Sequence, residues 1–246
     1  MSQKLRVYTT RDAETGMAHV FWYAGSKKFG RLDIQIPPNT PDAEVTAELI
    51  GLRHLLIDRS IYGTQQSTGI VLCVSKGAIR KISKNQSSKK HLMGLGTFLR
   101  TRFVDAEIEV DKPNEDHLEH WESVTDPETV EFQHGPAGNI IDTPAAGKIE
   151  ITAHAVEQYT DRIKDGELKR VWKSLTQCLT NPGLKDADTP AKVRAHKLKK
   201  YPFTRGQRIM KHPDGTMHYV LVPEGDRMIL VTTFDLHGTQ RHVYGG

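Results

Sequence analysis

The side chains best suited to chemistry are histidines and cations late in the chain. His154, Gln158 and Arg162 are spaced i, i+4, i+8, which places them on one face of a helix. Further on come Lys197, Lys199, Lys200, Arg205, Arg208, Lys211, His212 and His218. Such groups can cleave RNA without a metal, because the substrate's own 2′-hydroxyl is the nucleophile. The protein then supplies a base, an acid for the leaving oxygen and cations for the growing phosphate charge. On this reading His154 is the first acid–base candidate and Arg208 the phosphate binder. His218 or Lys199 is the second proton carrier. The simpler alternative for His154 is a helix-start histidine hydrogen-bonded within its own domain. Tyr201 and Tyr219 have faces on which a base can stack, although half-buried strand tyrosines usually only pack.

Other constellations are thinner. Asp12, Glu48 and Asp116 are too few and too scattered to hold Mg²⁺. His117 and His120 lack the third and fourth ligands that zinc requires. Gly94-Leu95-Gly96 lies inside a helical pattern, and the chain has no P-loop, dinucleotide fingerprint or nucleophile elbow. Cys73 and Cys178 both sit among apolar residues and read as buried, reduced thiols. No metal and no cofactor is expected.

The net charge is +4, placed unevenly. Residues 76–102 carry eight basic residues (Lys76, Arg80, Lys81, Lys84, Lys89, Lys90, Arg100, Arg102) and no acid. Residues 111–131 carry eight acids against Lys112 alone. A second basic block, 196–212, again lacks acids. Basic blocks without counter-charge suit a polyanion, since each phosphate contact releases a counterion. Hence RNA or another nucleic acid is the expected partner, with Lys76, Arg80, Lys81, Lys89, Lys90, Arg100, Arg162, Lys197, Lys200, Arg205 and Lys211 as contacts. A protein partner is the alternative, with the acidic stretch docking it or covering the chain's own basic surface. No run of about 18 apolar residues is present and the N-terminus lacks a signal-peptide core, so a cytoplasmic protein without a membrane partner is expected.

The elements that must position these groups fall into two sets. Strands are expected at 5–8, 17–23 and 31–36, where apolar residues alternate. A helix follows over 42–60, with Val45, Leu49, Leu52 and Leu56 on one stripe. A buried strand at 69–74, helices near 78–82 and 89–103 and a strand at 106–110 complete the order β-β-β-α-β-α-α-β. Residues 121–147 read as an acidic, then Gly/Pro-rich linker. Beyond it lie helices over 153–164 and 168–179, then strands near 195–201, 205–211, 217–222 and 228–234. The fold class is thus α/β plus α+β: a mixed-sheet domain (1–120), then a two-helix, four-strand antiparallel-sheet domain (148–246).

The first set resembles the ribonuclease H-like fold. Arg6-Val7-Tyr8-Thr9-Thr10 resembles that family's first strand, Ala47-Glu48-Leu49 its helix around the second carboxylate, and residues 70–76 its fourth strand. The resemblance implies a two-metal carboxylate site, but here the first acid position falls on Thr10 and the fourth-strand position on Val74. A non-catalytic, nucleic-acid-binding member is therefore expected, with Glu48 an ordinary exposed helix acid. Residues 151–163 resemble the opening helix of RelE- and BrnT-like ribonuclease toxins, whose two helices pack on an antiparallel sheet, and residues 228–234 resemble their closing strand. That resemblance implies a metal-independent endoribonuclease, such as a phage or mobile-element effector. A binding protein with no catalysis in either half is the alternative.

Overall fold

The computed structural model describes residues 3–25, 27–63, 69–111, 121, 124–132, 139–163, 170–188 and 206–235. The chain forms two compact units, Met1–Gly138 and Asn139–Gly246. Each unit holds a mixed sheet, and six α-helices are present among the described residues.

In the N-terminal unit, β1 (Gln3–Arg11), β2 (Met17–Tyr23) and β3 (Phe29–Gln35) form an antiparallel meander. β4 (Ile70–Val74) joins β1 in parallel, and β5 (Glu107–Val110) joins β4. The sheet order is β5-β4-β1-β2-β3-β6, with β6 (Glu128–Val130) parallel to β3. Leu5, Val7 and Thr9 alternate into the core from β1, and Ala18, Val20 and Trp22 from β2. Helix α1 (Ala43–Arg53) covers this face with Leu49 and Leu52, both fully buried. Each such leucine stabilises by about 2 kcal/mol. The helix lies unusually close, since a Cβ on Gly51 would come within 2.8 Å of Val20.

Two expectations change in this unit. The 42–60 helix is α-helical only to Arg53 and continues as a π-helix, His54–Asp58. A ring nitrogen of His54 meets Glu128 at 2.7 Å, and Arg59 joins the same carboxylate at 3.0 Å, which fixes β6 at the sheet edge. The 89–103 helix is two short ones, α3 (Lys90–Met93) and α4 (Thr97–Arg100). Gly96 breaks it, because any side chain there would collide with Ile82. Helix α2 (Gly77–Ser83) forms as expected.

The C-terminal unit begins inside the stretch read as a linker. β7 (Ile140–Thr143) and β8 (Gly147–Ile151) form a hairpin whose turn uses Gly147 at φ +69°. The sheet is also larger than four antiparallel strands, with order β7-β8-β12-β11-β10-β9 and β8 parallel to β12. β9 is Lys185–Asp186, β10 Arg208–Lys211, β11 Met217–Glu224 and β12 Arg227–Asp235. The strand expected near 195–201 lies outside the described residues. Helix α5 (Ala153–Arg162) starts at Thr152, whose side chain accepts from the Ala155 N–H at 3.1 Å. With α6 (Val171–Leu179) it packs on one sheet face. Tyr159 and Tyr219 are fully buried there, and Tyr159 shares a 2.8 Å hydrogen bond with Ser174. Cys73 is buried as expected, whereas Cys178 is partly exposed.

Candidate functional site

The parallel pairing of β1 and β4 brings two strand ends side by side, because Val7 lies opposite Val74. Thr9 therefore lies on β1 just beyond the end of β4, where Ser75 leaves the sheet, and Glu48 of α1 meets Ser75 there. The Ser75 backbone N–H donates to Glu48 Oε1 at 2.7 Å, and its hydroxyl donates to Glu48 Oε2. The buried Thr9 hydroxyl faces the same carboxylate without a well-aligned hydrogen bond. Glu48 has no exposed surface. Burial pushes its carboxyl above the ordinary glutamate range, and Ser75, Thr9 and the Lys76 charge pull only partly the other way.

This corrects two sequence readings. Glu48 is not an exposed helix acid; it is the polar centre of the unit's packed face. The residues that meet it are Thr9 and Ser75 rather than Thr10 and Val74. Thr10 falls on the opposite face of β1, and Val74 packs in the core. No cluster of three metal-binding side chains occurs among the described residues.

Basic side chains border this strand end. Lys76 pairs with Glu44, and Lys89 and His91 both pair with Asp42. The block that lacks acids in sequence thus receives them from the start of α1. Arg80, Lys81 and Lys84 project from α2 and the turn after it, all exposed, with Lys90 exposed on α3. Among the described residues none of these four has an ion pair. Arg100 sits on α4, partly buried. Arg102 lies 6.0 Å from the Phe103 ring and is half-buried, which lowers its pKa.

The C-terminal candidates do not converge in the same way. Arg208 is held by both Asp186 oxygens, at 3.0 and 2.9 Å, and by the Ala145 carbonyl at 3.2 Å. These contacts tie β10 to β9 and to the β7–β8 turn. His218 is 3% exposed, stacked on Phe234 at 5.0 Å, with its Nδ1 unpartnered. Burial and the Lys211 charge lower its pKa, so it is a neutral, packed imidazole at pH 7 rather than a solvent-facing proton carrier. Arg162 donates back to the Gln158 carbonyl at 3.0 Å on its own helix. His154 sits in the first turn of α5, outside the buried set of Ala155, Val156 and Tyr159. Ile151, Leu230, Leu221 and Arg208 form one row across four strands, so Arg208 stands about 14 Å from the β8 end that leads to His154. Lys197, Lys199, Lys200, Arg205 and Tyr201 lie outside the described residues, as do Asp116, His117 and His120.

Four contributors were missed in the sequence: Thr9, Ser75, Asp42 and Glu44. Thr9 had a signal, because it continues the Leu5, Val7 alternation into the core. Asp42 and Glu44 had none, since their partners lie more than thirty residues away.

Comparison with protein-family models, curated proteins and solved structures returns no match.

Proposed function

We propose that this protein binds RNA through its N-terminal unit without cutting it there. The observation that carries this reading is the exposed cations Arg80, Lys81, Lys84 and Lys90, none of which makes an ion pair among the described residues. Exposed cations not held in ion pairs are what a phosphate backbone needs, and α2 carries Arg80 and Lys81 on one short helix. The order β3-β2-β1-β4-β5 supports the resemblance to ribonuclease H-like proteins. Hydroxyls where that family places carboxylates support a binding rather than a metal-dependent cutting role.

A second reading keeps the C-terminal unit as a metal-independent endoribonuclease, favoured by His154, which lies outside the core and has no hydrogen-bond partner among the described residues. One experiment addresses both. The full chain is titrated with labelled RNA in EDTA and again with Mg²⁺, alongside Arg80→Glu/Lys81→Glu/Lys84→Glu and His154→Ala. The expected result is binding in both buffers, weakened about 100-fold or more by the triple reversal, with a shallower salt dependence. Cleavage in EDTA that disappears in His154→Ala would establish the second reading. Equal binding by the triple variant would overturn the first.

A further inference from the structure

Helix α1 begins oddly. Asp42 occupies the N-cap position, where aspartate ordinarily accepts a hydrogen bond from the first helical turn. Here its side chain makes no capping bond, and its backbone is left-handed at φ 52°. Aspartate tolerates that conformation better than most residues, yet it is still a cost the surroundings must hold in place. The carboxylate turns to the 89–91 segment instead, pairing with the Lys89 ammonium and with His91 Nε2 at 3.1 Å. These contacts lower the Asp42 pKa, the Lys89 hydrogen bond most of all. Two residues along, Glu44 takes Lys76. So Lys76 and Lys89 of the basic block, and His91 beside them, are each held by an acid from one helix start, while Arg80, Lys81, Lys84 and Lys90 are not.

We propose that Asp42 and Glu44 are phosphate place-holders, which occupy Lys76, Lys89 and His91 and are displaced by the backbone of a bound RNA strand. This rests on the N-terminal RNA-binding reading and adds regulation to it. A carboxylate presents its oxygens much as a phosphate does, and both accept charge-assisted hydrogen bonds from lysine. The pairs hold the cations pointing outward and limit loose binding to other polyanions, because a weak ligand cannot displace both acids. All five side chains stay solvent-accessible, between 25% and 46% exposed, so a strand can reach them.

The test uses the full chain, labelled single-stranded RNA of about 20 nucleotides, and the variants Asp42→Asn, Glu44→Gln and the double. Asparagine keeps the left-handed backbone accessible and glutamine keeps the helix, so folding is preserved while the charge is lost; hydrogen exchange over α1 checks this. Binding should tighten about two- to five-fold for each pair released, the range of an exposed ion pair, and the double variant should show the steeper salt dependence. The gain from Asp42→Asn should vanish in a Lys89→Gln/His91→Gln background. Tightening in the variants of a wild type that binds barely at all also supports the proposal. Unchanged or weaker affinity in a folded double variant, with the Arg80/Lys81/Lys84 reversal still abolishing binding, would overturn it and leave the RNA-binding reading intact. No binding by any variant would remove both.

Discussion

The two units handle polar side chains in opposite ways. In the N-terminal unit, β4 ends alongside the parallel β1, so Thr9, Ser75 and Glu48 meet at the end of β4, with Lys76 beside them. In the C-terminal unit the described candidates are dispersed over a helix and hairpin strands, and Arg162, Arg208 and His218 are already engaged. Arg208 braces β10 against β9 and the β7–β8 turn, while His218 is stacked under Phe234. Strand ends that point the same way gather side chains, whereas antiparallel neighbours place their loops at opposite ends.

That contrast can be broken by substitution. The largest effect should come from Glu48→Ala, which leaves a cavity and strips the Ser75 N–H of its acceptor. A loss of about 2–4 kcal/mol is expected in urea unfolding, with Glu48→Gln close to wild type. A harmless Glu48→Ala would mean that the strand-end cluster holds nothing together. Arg208→Ala should cost less, about 1 kcal/mol or below, since its partner Asp186 is mostly exposed. Its effect on hydrogen exchange should stay within β9, β10 and the β7–β8 turn, and RNA affinity should not change. The smallest effects are pH slopes. Glu48 has a raised native pKa, so the native state retains its proton where the unfolded state has lost it. Stability should fall as pH rises above the ordinary glutamate range, and Glu48→Gln should flatten that slope. Asp214 behaves oppositely. The Thr216 N–H and His212 lower its pKa to about 2, so stability should be lost as pH falls from the ordinary aspartate range toward that value. Peptide-resolved hydrogen exchange across pH would show the two slopes in separate units, and one common slope would contradict the comparison.

Much of the N-terminal fold was legible. Alternation placed β1 to β3, the Val45–Leu56 stripe placed α1, and the apolar run placed β4. Burial of Glu48 was not legible, because a carboxylate inside a helix is exposed by default and only the tertiary fold supplies Ser75 and Thr9. The π-helix was invisible for the same reason, since apolar periodicity continues through residues 54–57. In the second unit, Thr152 capping and the α6 stripe were read correctly. The β7–β8 hairpin was masked by its own turn, as Thr143-Pro144-Ala145-Ala146-Gly147 has linker composition but pairs Thr143 with Gly147. The engagement of Arg208 could not be foreseen, because Asp186 is twenty-two residues away on a two-residue strand.

The outermost strands have a bearing on self-association. β5, β6, β7 and β9 are each four residues or fewer, and every one carries an acid: Glu107 and Glu109, Glu128, Asp142, Asp186. A growing fibril needs a long, flat, uncharged edge on which the next chain can add a strand. Here a recruited strand would gain at most four residues of pairing and meet a carboxylate. Glu107 and Glu109 thus act as gatekeepers for β5, whose Val110 is 45% exposed. Replacing both with apolar residues would leave the Glu107–Val110 edge without a charge, the one outer strand of the four so exposed.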